Sequence, residues 1–239
     1  MAIPWKKGLT MRSGLILGLI TVALATGACN EVTSGKTGVL TFTPDECGEV
    51  GCSLRDDLAV GGSMLVALDG AGRQVDLANL TLITNAAGVL RVEAVKRTAL
   101  TSEWRVTALS AGPARLIAID PAGHEVDYTS IAARAASAIH IEHRSGNAVG
   151  PSARAGFDEV WTVKAGESID LRPAPFSGNV RLTGNVAYHV DVDKKLLAGL
   201  APGSKLDHGE LTFRVPAGEY DAAFDIPGGP LLRLLIVAQ

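Results

Sequence analysis

Long apolar runs, cysteines, aromatic residues and excess positive charge are all scarce in this 239-residue chain, and each shortage removes a class of protein. The apolar run at residues 15–25, broken by Gly18 and Thr21, would reach only about 16 Å as a helix. A bilayer core is roughly 30 Å thick, so a permanent transmembrane helix is not expected there. Three cysteines, without a second Cys or His pair nearby, are a poor basis for a structural zinc site. The formal net charge of −3 leaves no basic patch for nucleic acid. Motifs are missing too. The chain has no Gly-x-Ser-x-Gly elbow, His-Glu-x-x-His helix or dinucleotide loop, and Gly35-Lys36-Thr37 lacks the glycine five residues earlier that a phosphate loop needs. Catalytic residues can be scattered along a chain, so these gaps lower an enzymatic reading without removing it.

What is present begins at the N-terminus. Lys6, Lys7 and Arg12 precede the apolar run, no acidic residue occurs before Cys29, and the small residues Thr26, Gly27 and Ala28 follow the run. That order is a secretory signal over residues 1–28. No Arg-Arg pair points to twin-arginine export. Leu24-Ala25-Thr26-Gly27-Ala28-Cys29 resembles the lipobox of bacterial lipoproteins, departing from it at Thr26, where an aliphatic residue is usual. The resemblance implies that Cys29 carries a lipid and becomes the first mature residue. Loss of residues 1–28 removes three basic residues and no acidic one, which moves the net charge from −3 to −6. Residues 29–38 are polar and glycine-containing, and read as a flexible tether. Cys47 and Cys52 flank two glycines and, in an oxidising compartment, are expected to close a disulfide that steadies one turn.

From Val39 onward the period is that of strands. Short runs such as Ser63-Met64-Leu65-Val66-Ala67-Leu68, Trp104-Arg105-Val106-Thr107-Ala108-Leu109 and Leu231-Leu232-Arg233-Leu234-Leu235-Ile236-Val237 recur every 8 to 15 residues or so, with Gly, Pro and Asn between them. The expected fold is all-β: two tandem sandwiches, residues 39–135 and 136–239, with the alanine-rich 132–138 stretch joining them. A single large barrel is the alternative. The series Gly88-Val89-Leu90-Arg91-Val92, then residues 104–116 and the turn Asp120-Pro121-Ala122-Gly123, resembles bacterial immunoglobulin-like domains, as does Pro216-Ala217-Gly218-Glu219-Tyr220 in the second half. The Cys47–Leu54 stretch is similar to one in secreted lipoproteins of Gram-negative soil bacteria. These resemblances imply architecture, and a sandwich hosts many unrelated functions.

Candidate site residues are few. In a strand, His189, Asp191 and Asp193 share one face, a donor set for a divalent cation or an acid–base pair; the plainer reading is the solvated face of a half-buried strand. His140 and Glu142 share a face while His143 points away, and His124 and His208 stand in loops. With aromatic residues at only 5%, Trp104 and Trp161 read as core anchors rather than sugar-stacking platforms.

The sequence therefore suggests a non-catalytic, lipid-anchored protein of the bacterial cell envelope, periplasmic or on the cell surface. It would act as a binding, adhesion or structural module toward an envelope protein or polysaccharide, with no cofactor. A metal-dependent envelope hydrolase using His189, Asp191 and Asp193 is one alternative, and a carbohydrate-binding module is another. The cysteine assignments make a direct prediction. The mature protein, denatured without reductant, should react with no equivalent of maleimide, whereas one or more labelled thiols by mass spectrometry would reject the partition into one lipidated and two bridged cysteines.

Overall fold

The computed structural model describes residues 32–45, 53–70, 75–98, 102–143, 154–202, 204 and 210–239. Cys29, Cys47, Cys52 and His208 lie outside these residues, as does the signal segment. Among the described residues, no helix is long and apolar enough to cross a membrane.

Alternation of side chains about each strand sets the architecture. In β7 (Ser102–Ala108) every second residue is buried, from Ser102 through Trp104 and Val106 to Ala108. The same rule runs through β2 (Thr41–Asp45) and β8 (Gly112–Ile119), while β4 (Ser63–Asp69) buries Leu65 as well as its inward Met64, Val66 and Leu68. β1 (Thr33–Ser34) and β6 (Leu90–Arg97) complete one sheet in the order β1-β2-β4-β7-β6. β3 (Leu58–Ala59), β9 (Glu125–Arg134) and β5 (Thr81–Thr84) join β8 in the facing sheet, order β3-β9-β8-β5. One sheet thus holds the first, second, fifth and fourth major strands, and the other holds the third, sixth and seventh. That is the division of a constant-type immunoglobulin sandwich. Phe42, Leu68, Trp104, Val106 and Leu116 fill the space between the sheets.

The second half repeats the plan. β10 (Ala138–His143), β12 (Ser168–Ser177), β13 (Val180–Arg181) and β15 (Leu211–Arg214) form one sheet. β11 (Glu159–Val163), β17 (Leu231–Ala238), β16 (Gly218–Asp225) and β14 (His189–Val192) form the other. In each half a short strand runs parallel to the last one, β3 beside β9 and β11 beside β17, while the other strand pairs are antiparallel. Among the described residues, the second half has no counterpart of β6. Its place beside β15 is taken by residues 199–201, where Ala201 N–H donates to the Thr212 carbonyl at 2.8 Å, after the single turn α1 (Lys194–Leu197). Trp161, Leu171, Phe213, Phe224 and Ile236 are among the residues of this second core.

β12 runs on past Leu171 through Pro173 and Pro175 to Ser177. Both prolines fall where β12 has β10 on one side and neither β13 nor β15 on the other, so their missing N–H groups break no ladder. β14 begins only at His189, after Val186 and Tyr188 have packed into the second core.

The expected tether is corrected more sharply. Residues 33–40 are hydrogen-bonded into the first sandwich through Asp127, which is fully buried on β9. One carboxylate oxygen accepts the N–H groups of Thr37 and Tyr128, each at 2.8 Å. The other accepts those of Val39 and Leu40, each at 2.9 Å. The backbone closes so tightly over this carboxylate that a Cβ on Gly35 would collide with it. Lys36 N–H adds a bond to the Tyr128 carbonyl at 2.8 Å, and Thr33–Ser34 pair with Phe42 and Thr41.

Burial pushes the Asp127 carboxyl up, but the N–H groups of Leu40, Thr37 and Tyr128 together outweigh it and hold the pKa below its ordinary 3.8. A depressed folded pKa means the carboxylate stabilises fully above the unfolded value and loses that contribution as pH falls through the folded one. Asp127→Ala should therefore destabilise the protein by about 3–5 kcal/mol at neutral pH in urea unfolding, since it strands the buried Leu40 N–H and three part-buried donors. The gap between wild type and variant should narrow as pH falls below 3.8. A gap that is constant down to pH 2 would reject the assignment.

Candidate functional site

The outer face of the β11-β17-β16-β14 sheet carries a groove of about 720 Å³. Its position follows from register. Tyr220, Ala222 and Phe224 of β16 point into the core, so Asp221 and Ala223 point outward. β17 does likewise, with Leu232, Leu234 and Ile236 inward and Leu231 and Arg233 exposed. Asp191 pairs with Ala223 and Ala223 with Arg233, which sets an acidic and a basic side chain on either side of a methyl group. The small Ala223 is the floor. Phe157 and Leu231 supply apolar wall, and Lys194, Lys195, Asp193 and Asp221 supply charge. Arg233 is fixed through its backbone, whose N–H donates to Asp158 Oδ2 at 2.7 Å. A shallower depression of about 520 Å³ in the first sandwich is lined by Arg55, Asp57, Asn85 and Arg115, the last stacked 4.8 Å over the Tyr128 ring.

The three residues read as a donor set are not gathered. His189 and Asp191 are both exposed on β14, on one face as the alternation requires. Asp193 lies beyond the strand's end, where its side chain accepts the Lys195 N–H at 2.8 Å and caps α1. Among the described residues, no three His, Cys, Asp or Glu side chains come together to hold a metal ion.

The other candidates have local partners. Glu142 makes a two-point ion pair with Arg181, at 2.7 and 3.2 Å. His140 stands edge-on to Phe176 with ring centroids 4.8 Å apart, and its Nδ1 is 3.2 Å from Glu159 Oε1. His143 closes β10 opposite Leu171. His124 sits 3.2 Å from Asp120 rather than alone, and its backbone N–H is the main cause that lowers the Asp120 pKa. Both tryptophans are buried: Trp104 Nε1 donates to Ser102 Oγ at 2.8 Å, and Trp161 Nε1 to Glu159 Oε2 at 2.9 Å. Neither indole offers a face to a sugar.

Two buried acids escaped sequence reasoning, Asp127 and Glu159. The signal was available for the first. Ile131 and Ala133 fix the inward phase of β9, and counting back by twos reaches Asp127, although Val126 and Tyr128 look like the apolar set. Near Arg181 and Glu142, the Tyr188 hydroxyl is buried without a partner among the described residues, and burial pushes its pKa well up.

No protein-family model matches the chain, and no curated protein matches it in sequence. Solved structures give distant likenesses. The Escherichia coli adhesin FdeC is 15% identical, with 87% of this chain and 65% of that one covered at a TM-score of 0.30. A C-terminal intimin fragment, in complex with the intimin-binding domain of its translocated receptor, is 13% identical, covering 87% of this chain and 64% of that one at 0.32. The Bacteroides ovatus protein SGBP-B, in complex with a mixed-linkage heptasaccharide, is 10% identical, covering 79% and 45% at 0.33. The chain thus spans less than two thirds of each. Values this low carry no argument, and the fold assignment rests on this chain's own hydrogen-bond registers.

The cap makes a prediction about the expected metal set. Asp193→Ala should cost about 1 kcal/mol in urea unfolding through loss of the N-cap. The loss should be equal with and without chelator. A loss that vanishes in chelator would restore Asp193 as a ligand.

Proposed function

We propose that this is a non-catalytic, lipid-anchored protein of the bacterial cell envelope, acting as a binding, adhesion or structural module. The observation that supports this best is how the molecule's polar chemistry is used. Its buried carboxylates accept hydrogen bonds from backbone N–H groups and an indole, while the charged residues of its concave face stand on outward strand positions (Asp191, Asp221, Arg233) and on α1 with its cap (Asp193, Lys194, Lys195). Such a face suits recognition of an extended polar partner, an envelope protein or a polysaccharide, through side chains held on rigid strands. The signal segment and the lipobox-like residues ending at Cys29 supply the address. The hydrolase reading loses its donor set with Asp193 occupied as a cap, and the sugar-stacking reading loses both buried tryptophans.

Cys29→Ser should move the protein from the membrane to the soluble fraction of the expressing cells, and an unchanged membrane fraction would reject the anchor. The purified protein should leave a panel of esters, glycosides and peptides intact; turnover that disappears in Asp191→Ala would reject the non-catalytic reading.

A further inference from the structure

The two sandwiches share more than a linker. Between β2 and β4 of the first, residues 57–63 run along the end of the sandwich, and β3 within them pairs with β9 at Ala133 and Arg134. The other side of this segment meets residues 183–185 of the second half. Ala59 N–H donates to the Thr183 carbonyl and Thr183 N–H to the Asp57 carbonyl, both at 2.9 Å. Asn185 N–H donates to the Ser63 carbonyl at 2.6 Å, with the return bond at 3.1 Å. Residues 183–185 therefore extend both sheets of the first sandwich at once: Thr183 bridges to Leu58 beside β3, and Asn185 bridges to Ser63 of β4.

The side chains follow the backbone. Leu58 and Ala59 are adjacent and fully buried, yet Leu58 packs in the first core and Ala59 in the second. Gly184, at φ +103, approaches Leu58 so closely that a Cβ would collide with its Cδ1. On the covalent side, residues 135–137 are the entire connection, and Ser137 N–H is bound to the Phe176 carbonyl at 2.7 Å. A hinge needs a few residues free to change φ and ψ. Here the crossing backbone is bridged at Thr183 and Asn185, and the connection is tied at Ser137.

From this shared strand we infer that the two sandwiches form one hinge-free cooperative unit, a strut rather than two beads on a string. Neither half buries its own end: the first lends Ala59 to the second core, and the second lends a twice-bridged segment to both sheets of the first. The inference is independent of the anchor and of any ligand.

Calorimetry of the full-length mature protein carrying Cys29→Ser tests it. The expected result is a single transition with calorimetric and van't Hoff enthalpies equal, whereas two resolved transitions would overturn the inference. Hydrogen exchange gives a second readout that needs no further variant. The amides of Ala59, Ser63, Thr183 and Asn185 should exchange as slowly as those of β16 and β17, and fast exchange at the junction alone would overturn it. Gly184→Ala should split the transition in two or speed exchange at the junction at least tenfold. Gly123→Ala, equally disfavoured in backbone at φ +85 but in an open turn, should keep one transition and a protected junction. Identical behaviour of the two variants would count against the shared strand.

Discussion

On β9 the inward positions are Asp127, Thr129, Ile131 and Ala133, so a carboxylate stands where the sandwich offers only protein interior. An ionised group there is tolerable only if its lone pairs are met by donors. The donors come from the chain's own entry segment, which bends around Asp127 to deliver the N–H groups of Thr37, Val39 and Leu40. The dependence runs both ways. Without the loop the carboxylate is buried and unpaired, and without the carboxylate the loop has no reason to close. With both, β1 and β2 are set in register, and Leu40 and Phe42 drop into the core. Edge strands are the weak point of any open sheet, and here a buried ionic hydrogen-bond network holds one of them in place.

The rhythm of alternating residues made most of the fold legible. β4, β5, β7 and β8 read as strands because one face is apolar and the turns between them carry Gly, Pro or Asn. Two-residue strands leave little rhythm to read: β13 shows in Val180-Arg181, but β1 and β3 do not, although β3 is the strand that joins the two halves. The tether was misread for a related reason. Polar, glycine-containing sequence is also what a tight loop around a buried carboxylate requires, and Gly35 is there for close approach rather than flexibility. At the site, periodicity placed His189 and Asp191 on one face correctly. Asp193 failed because the strand stops before it, and an Asp followed by two lysines and two leucines is as good a cap as it is a ligand.

The concave face and the shared strand complement each other. A groove lined by residues on three adjacent strands keeps its shape as long as those strands keep their register. Glu159 contributes from beneath: it bonds the Trp161 indole in the second core and faces His140 on the opposite sheet, which ties β10 to β11 across the sandwich. The outward charges are then presented on a scaffold whose own polar needs have been met inside.

The Asp127 loop also sets a length. Because Thr33 is already paired as β1, four backbone steps separate it from Cys29, a reach of about 14 Å when fully extended. A lipid on Cys29 would therefore hold the first sandwich within about 14 Å of its point of attachment. The stand-off from the bilayer would then be set by a loop folded around a buried carboxylate and not by the slack of a linker.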